Sequence, residues 1–112
     1  MKINDYLGKA ITATSETTKL YFNEHSQKKP ENIVCLYEAM YYFNAIRAIY
    51  LSQPTLIENE LCDELEIILN LFDKFMQEFV EQYRTKQEFR IAEGYYNQLL
   101  EAYENYKQKL IS

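Results

Sequence analysis

The sequence predicts an all-α protein, and three observations support that prediction. Gly and Pro, which interrupt regular structure, number only two each among 112 residues. Residues 33–51 form an apolar run that contains neither of them. Two later segments place apolar residues alternately three and four positions apart, which is the spacing of one helix face. We therefore predict one four-helix bundle-like domain over residues 1–112, with helices at about 4–24, 30–52, 56–84 and 86–110.

The first predicted helix, at about 4–24, has the weakest apolar face. Asn4 or Asp5 is a suitable N-cap, because either side chain accepts a hydrogen bond from a free backbone N–H group. The apolar stripe is narrow, and two of its five members are threonines: Leu7, Ile11, Thr14, Thr18 and Tyr21.

The second predicted helix, at about 30–52, is apolar around almost its whole circumference. Pro30 suits its first position, where the missing N–H is not needed. Only Glu38, Asn44 and Arg47 are strongly polar within the apolar run. Because exposed apolar surface is costly, we expect the other helices, or a second copy of the chain, to cover this helix on most sides.

Two Thr-x-x-Glu capping boxes, at residues 55–58 and 85–88, mark the starts of the third and fourth helices. The third helix carries one apolar seam: Leu61, Leu65, Ile68, Phe72, Phe75 and Phe79. The fourth carries a new one: Phe89, Ala92, Tyr96, Leu99, Tyr103, Tyr106 and Leu110. Continuing the first seam past Phe79 would place the polar Gln82 and Lys86 inside. We therefore predict a tight corner near Arg84 to Lys86 and a long hairpin of helices three and four, with one continuous kinked helix as the alternative.

A homodimer is expected for two reasons. The third helix would be about 43 Å long at 1.5 Å per residue, which is long for a domain of this size. The second helix is more apolar than one chain of this length readily covers. Two-fold dimers are the commonest oligomers, and the seams have coiled-coil spacing.

The net charge of −5 disfavours nucleic acid and membrane partners. Phosphate-rich surfaces attract clusters of Lys and Arg, and the nearest cluster here is the pair Lys28 and Lys29. A membrane span through residues 33–51 is disfavoured by the cost of placing Glu38 and Arg47 in lipid.

The cysteines and the single histidine indicate no nucleophilic site. The N-terminus turns polar at once and shows no secretory signal, so we expect a cytoplasmic protein in which Cys35 and Cys62 are free, buried thiols. A Cys–His pair would have to use His25, which lies in the predicted loop at residues 25–29. Nothing in the spacing brings either thiol to it.

A block of acids suggests a second possible function. Its members are Glu58, Glu60, Asp63, Glu64 and Glu66. Carboxylates on successive helical turns can share Mg²⁺, which would suit an all-α, metal-dependent nucleotide hydrolase. Acids also gather near a helix N-terminus without any metal, because they complement the helix dipole. We expect the dipole explanation, no cofactor and no metal site, and keep the hydrolase as the alternative function.

Tyrosine is unusually abundant, with 11 Tyr, 6 Phe and no Trp. Neighbouring tyrosines point about 100° apart on a helix, so some must reach a surface, and tyrosine is enriched at protein interfaces. We therefore predict a non-enzymatic interaction protein, of an adaptor, chaperone or inhibitor-like kind, that dimerises or holds a partner helix. Its candidate interface residues are Tyr41, Tyr42, Asn44, Arg47, Tyr50 and Tyr95.

Overall fold

A computed structural model of the chain describes residues 2–21, 33–53, 55, 57, 59–85 and 89–111. These residues form four α-helices and no β-strand: α1 (Lys2–Tyr21), α2 (Val34–Ser52), α3 (Asn59–Arg84) and α4 (Arg90–Ile111). The predicted all-α class is therefore confirmed. Helix α1 packs on α2 and α3 packs on α4, and the contacts divide the chain into two compact units: Met1–Pro54 and Thr55–Ser112. A bundle-like arrangement of all four helices in a single domain stays a prediction.

All four helices begin within four residues of the predicted positions, and for α1 and α2 the difference affects the predicted N-terminal residues. Helix α1 already includes Lys2, so Asn4 and Asp5 lie inside the helix and neither is its N-cap. The Asp5 carboxylate still complements the dipole from the first turn. Helix α2 begins at Val34, and Ile33 before it has helical backbone angles and makes no side-chain capping bond. Pro30 and the predicted loop before it lie outside the described residues.

Helix α1 buries a wider face than the predicted stripe. Its buried residues are Ile3, Leu7, Ala10, Ile11, Ala13, Thr14, Thr17 and Thr18. The Thr14 hydroxyl donates to the carbonyl oxygen of Ala10 at 2.8 Å. The Thr17 hydroxyl donates in the same way to Ala13 at 3.0 Å. These bonds satisfy the hydroxyl donors within α1, so threonine is accommodated on an apolar face.

Helix α2 buries only one face, made by four residues: Leu36, Ala39, Phe43 and Ile46. Helix α1 packs against α2, and one neighbouring helix covers one face of another. The expectation that the other helices or a second copy of the chain cover α2 on most sides stays a prediction. Several large apolar side chains of α2 remain exposed.

Helices α3 and α4 form the predicted hairpin. Glu64, near the start of α3, contacts Lys109 near the end of α4, and Phe79 near the end of α3 contacts Phe89 just before α4. The two helices therefore run antiparallel. Helix α3 ends at Arg84 and α4 begins six residues later, so one continuous kinked helix is wrong. Residues 86–88, and with them most of the second capping box, lie outside the described residues, as does Glu58 of the first.

The predicted seam of α3 is confirmed, because all six of its members are buried. Gln82 corrects the prediction, since it is also buried, with 2% of its surface exposed. The seam continues because the Gln82 side-chain oxygen has a polar partner, the backbone N–H of Ala92 at 3.4 Å. In α4, Tyr96 and Tyr103 are half-buried, whereas Leu110 is exposed in the last turn. The remaining predicted seam residues are buried: Phe89, Ala92, Leu99 and Tyr106.

Candidate interaction surface

The exposed side of α2 carries a second stripe with coiled-coil spacing. We call it the outer face of α2, and it consists of six exposed residues: Val34, Tyr37, Tyr41, Asn44, Ala48 and Leu51. Successive members lie alternately three and four residues apart, so they share one side of the helix. The large apolar members are 53%, 59%, 66% and 73% exposed in chain order. Apolar surface residues occur singly on most proteins, whereas the four large apolar residues here share one side of a single helix.

A cluster of rings connects this outer face to α1. The Tyr42 ring lies 5.8 Å from the Tyr6 ring of α1 and 5.2 Å from the Tyr41 ring, measured between centroids. The Tyr41 and Tyr42 rings meet edge to face, which is a favourable aromatic geometry. The ammonium group of Lys9 lies 5.8 Å from the centre of the Tyr42 ring. Tyr42 is therefore held against α1 and supports the exposed ring of Tyr41.

The predicted interface residues are divided between the two units. Tyr41 and Asn44 are members of the outer face of α2, whereas Tyr42 is half-buried beside it. Arg47 and Tyr50 are half-buried and make contacts within the structure. The sixth predicted residue belongs to α4 in the other unit.

That sixth residue, Tyr95, is half-buried and has a lysine partner. The Lys74 ammonium lies 6.0 Å from the centre of the Tyr95 ring. Four members of the outer face are not among the predicted interface residues: Val34, Tyr37, Ala48 and Leu51. Their three-and-four spacing was a usable signal, but the buried face of α2 has the same spacing, and the sequence does not say which one faces outward.

Three acids of the block, all on α3, act on one lysine of α4. A carboxylate oxygen of Glu64 lies 2.6 Å from the Lys109 ammonium, and the carboxylates of Glu60 and Asp63 also act on that charge. The hydrogen bond to Lys109 lowers the pKa of Glu64, and the same bond raises the pKa of Lys109. Glu64 and Lys109 lie on different helices, so no spacing within one helix indicates this pair, and it is an additional finding.

Over the described ranges, no three or more His, Cys, Asp or Glu side chains are grouped so that they could hold a metal ion. Glu58 and His25 lie outside those ranges. The prediction that both thiols are buried is wrong, since Cys35 and Cys62 are half-buried, although neither is part of a disulfide. Burial, followed by the charges of Glu38 and Glu16, raises the pKa of Cys35. This thiol therefore stays protonated at neutral pH, which is unfavourable for a nucleophile.

In the part of the chain that the structure describes, no helix combines the length and hydropathy needed to cross a bilayer. Comparisons with models of protein families, with curated proteins and with solved structures find no match to this chain. The class that fold and site together define is an all-α protein of two helical hairpins, one of which exposes an apolar helix face.

Proposed function

We propose that this protein is a non-enzymatic interaction module that binds another helix through the outer face of α2. One observation carries the proposal: a helix of 19 residues presents a stripe of six exposed residues with the spacing of a coiled-coil seam. Burying such a stripe removes apolar surface from water at roughly 25 cal/mol per Å². A partner helix fits this stripe because its own ridge of side chains fills the spaces between successive turns.

The chemistry of the stripe restricts the partner. Tyr37 and Tyr41 provide large, stiff contact surfaces with hydroxyl groups at their tips. Asn44 places one amide within the seam, and an amide buried without a hydrogen-bond partner costs about 1–3 kcal/mol. A suitable partner therefore offers an apolar stripe with at least one polar group opposite Asn44.

Site-specific photo-crosslinking tests the proposal. A photoreactive phenylalanine analogue is introduced at Tyr41, and the chain is irradiated in its native cell and analysed by mass spectrometry. We expect covalent adducts between position 41 and a protein, which is either another copy or a different chain. Ile91 on α4 is the matched control, since it is 55% exposed and also apolar.

Two results would contradict the proposed function. The first is a position 41 that forms no protein adduct. The second is an adduct yield at Ile91 equal to that at Tyr41, because the outer face of α2 would then have no preference over other exposed apolar positions.

A further inference from the structure

The positions of the outer face of α2 are symmetric about the midpoint of the stripe. Its centre lies between Tyr42 and Phe43. Three pairs of positions are equidistant from that centre: Val34 with Leu51, Tyr37 with Ala48, and Tyr41 with Asn44. A stripe with this property, which follows from its alternating spacing of three and four, superimposes its positions on themselves when the helix is reversed. Two copies can therefore pair antiparallel, about a two-fold axis perpendicular to the helix, with every member of the stripe facing another member.

We propose that the partner of the outer face is a second copy of this chain, with the two α2 helices packed antiparallel about a two-fold axis at that centre. This inference rests on the proposed function and adds the identity and the direction of the partner. In this arrangement each member of a pair faces the other member on the second copy. Aliphatic Val34 of one copy contacts Leu51 of the other, and the two-fold axis repeats this contact at the opposite end of the interface. All six members of the stripe contribute from both copies.

Side-chain sizes favour the antiparallel direction. Tyr37 of one copy packs over the small Ala48 of the other, so each tyrosine ring fills the space beside an alanine methyl group. A parallel pair would set Tyr37 against Tyr37 and Ala48 against Ala48. Packed helix axes lie about 8–10 Å apart. A Tyr37–Tyr37 contact needs a much larger axis separation than an Ala48–Ala48 contact, so both do not fit in one parallel pair.

The polar group of the stripe is also matched in the antiparallel pair. Tyr41 of one copy lies at the level of Asn44 of the other, on both sides of the axis. A phenol hydroxyl donates and accepts hydrogen bonds, and an amide does both as well. The pairing therefore offers the Asn44 amide a partner at the centre of the interface, where burial is greatest.

The available area is sufficient for a dimer. The four large exposed side chains of the outer face correspond to roughly 500 Å² per copy, given that a tyrosine buries about 150–250 Å². Two copies together bury at most roughly 1,000 Å², because a helix pair leaves part of each side chain in water, and an interface of this size corresponds to a weak, transient dimer. We therefore expect a reversible dimer, to be measured over protein concentrations from about 1 μM to about 1 mM.

Analytical ultracentrifugation of the full chain gives the first test. We expect the mass to rise with concentration towards twice the 13.5 kDa of one chain. Tyr41→Glu and, independently, Leu51→Glu each place a charge in the interface and raise the dimer Kd by at least about 30-fold. Ile91→Glu, at a similarly exposed site on α4, leaves it unchanged. Circular dichroism establishes that each variant keeps its helices.

Disulfide formation between mixed variants tests the direction. Cys35 and Cys62 are first replaced by Ser, and chains carrying Val34→Cys are mixed with chains carrying Leu51→Cys under mild oxidation. Antiparallel pairing links the two different chains to each other. Parallel pairing links each variant to its own kind, and that result overturns the proposal.

The remaining outcomes separate this inference from the proposed function. A chain that is monomeric at all concentrations, or a dimer that survives both Tyr41→Glu and Leu51→Glu, overturns the second copy as the partner. If position 41 still crosslinks to a different protein in the cell, the proposed interaction function stands without the dimer. If neither a dimer nor an adduct forms, both fail.

Discussion

The side-chain oxygen of Gln82, at the end of α3, accepts a hydrogen bond from the backbone N–H of Ala92, in the first turn of α4, with 3.4 Å between oxygen and nitrogen. The first N–H groups of a helix have no partner within that helix. The next amide, that of Glu93, already bonds to the Phe89 carbonyl at 2.8 Å. Gln82 therefore caps α4 from the neighbouring helix, which explains how an amide side chain is buried in the seam.

Replacing this cap tests its contribution to stability. Gln82→Leu keeps a side chain of similar size but removes the acceptor that α3 provides for the Ala92 N–H. We expect the free energy of unfolding in urea, followed by circular dichroism, to fall by about 1 kcal/mol, because the bond is long. Gln77→Leu, at an exposed position of the same helix, is the control, and its free energy of unfolding should stay within about 0.5 kcal/mol of that of the parent chain. A Gln82→Leu variant more stable than the parent chain would refute the cap.

The pair of Glu64 and Lys109 predicts a pH dependence of stability. The folded-state pKa of Glu64 is lowered by Lys109, so its stabilising effect is present at neutral pH and disappears as the pH falls through that lowered pKa. The folded-state pKa of Lys109 is raised, so its effect is lost only as the pH rises through that raised value. Glu64→Gln should therefore lower the melting temperature at about pH 7 and make little difference at about pH 2.

The control for this pair is Glu104→Gln. Glu104 contacts Lys107 on the same helix at 2.7 Å, and both side chains are well exposed to solvent. Exposed pairs of this type contribute little, so its melting temperature should change less than that of Glu64→Gln at every pH. Equal effects for the two variants would contradict a specific contribution from the cross-helix pair.

Phe79 lies at the centre of the aromatic contacts that join α3 to the start of α4. Its ring centre is 5.0 Å from that of Phe89, 5.7 Å from Phe75 and 6.3 Å from Tyr83, and the side chain is fully buried. Phe79→Ala should lower the free energy of unfolding by about 3–5 kcal/mol, because it leaves a cavity. Val80→Ala, at the exposed neighbouring position, should cost about 0.5 kcal/mol or less. Denaturant unfolding distinguishes the two, and similar losses would contradict this packing.

The buried threonines of α1 predict a small effect of substitution. Thr14→Val removes a hydroxyl whose acceptor, the Ala10 carbonyl, is already available to the helix ladder. No buried donor is left without a partner, so we expect the free energy of unfolding, measured by thermal denaturation, to change by no more than about 1 kcal/mol in either direction. Leu7→Ala, at a fully buried site of the same face, should cost about 2–5 kcal/mol. A large loss for Thr14→Val would mean that its hydroxyl serves more than its own helix.

Part of the candidate site was predictable from the sequence. Tyr41 was identified because an apolar helix rich in tyrosine must present some of its rings at a surface, and Asn44 because it is one of the few polar residues of that helix. Tyr95 was chosen on the same argument, although it belongs to the other hairpin, where Lys74 lies over its ring. The abundance of tyrosine indicates that some tyrosine rings are exposed, but it does not show which of them share one helix face.

The sequence by itself determined the number of helices, the corner between α3 and α4, and the buried seam of α3. These are local properties, because apolar spacing and the scarcity of Gly and Pro act over a few turns of one helix. Only the tertiary structure decided which of two equally spaced stripes of α2 is buried, and that Gln82 and Glu64 find their partners on α4. The reason is that burial and polar satisfaction depend on residues distant in the chain, and no local pattern contains them.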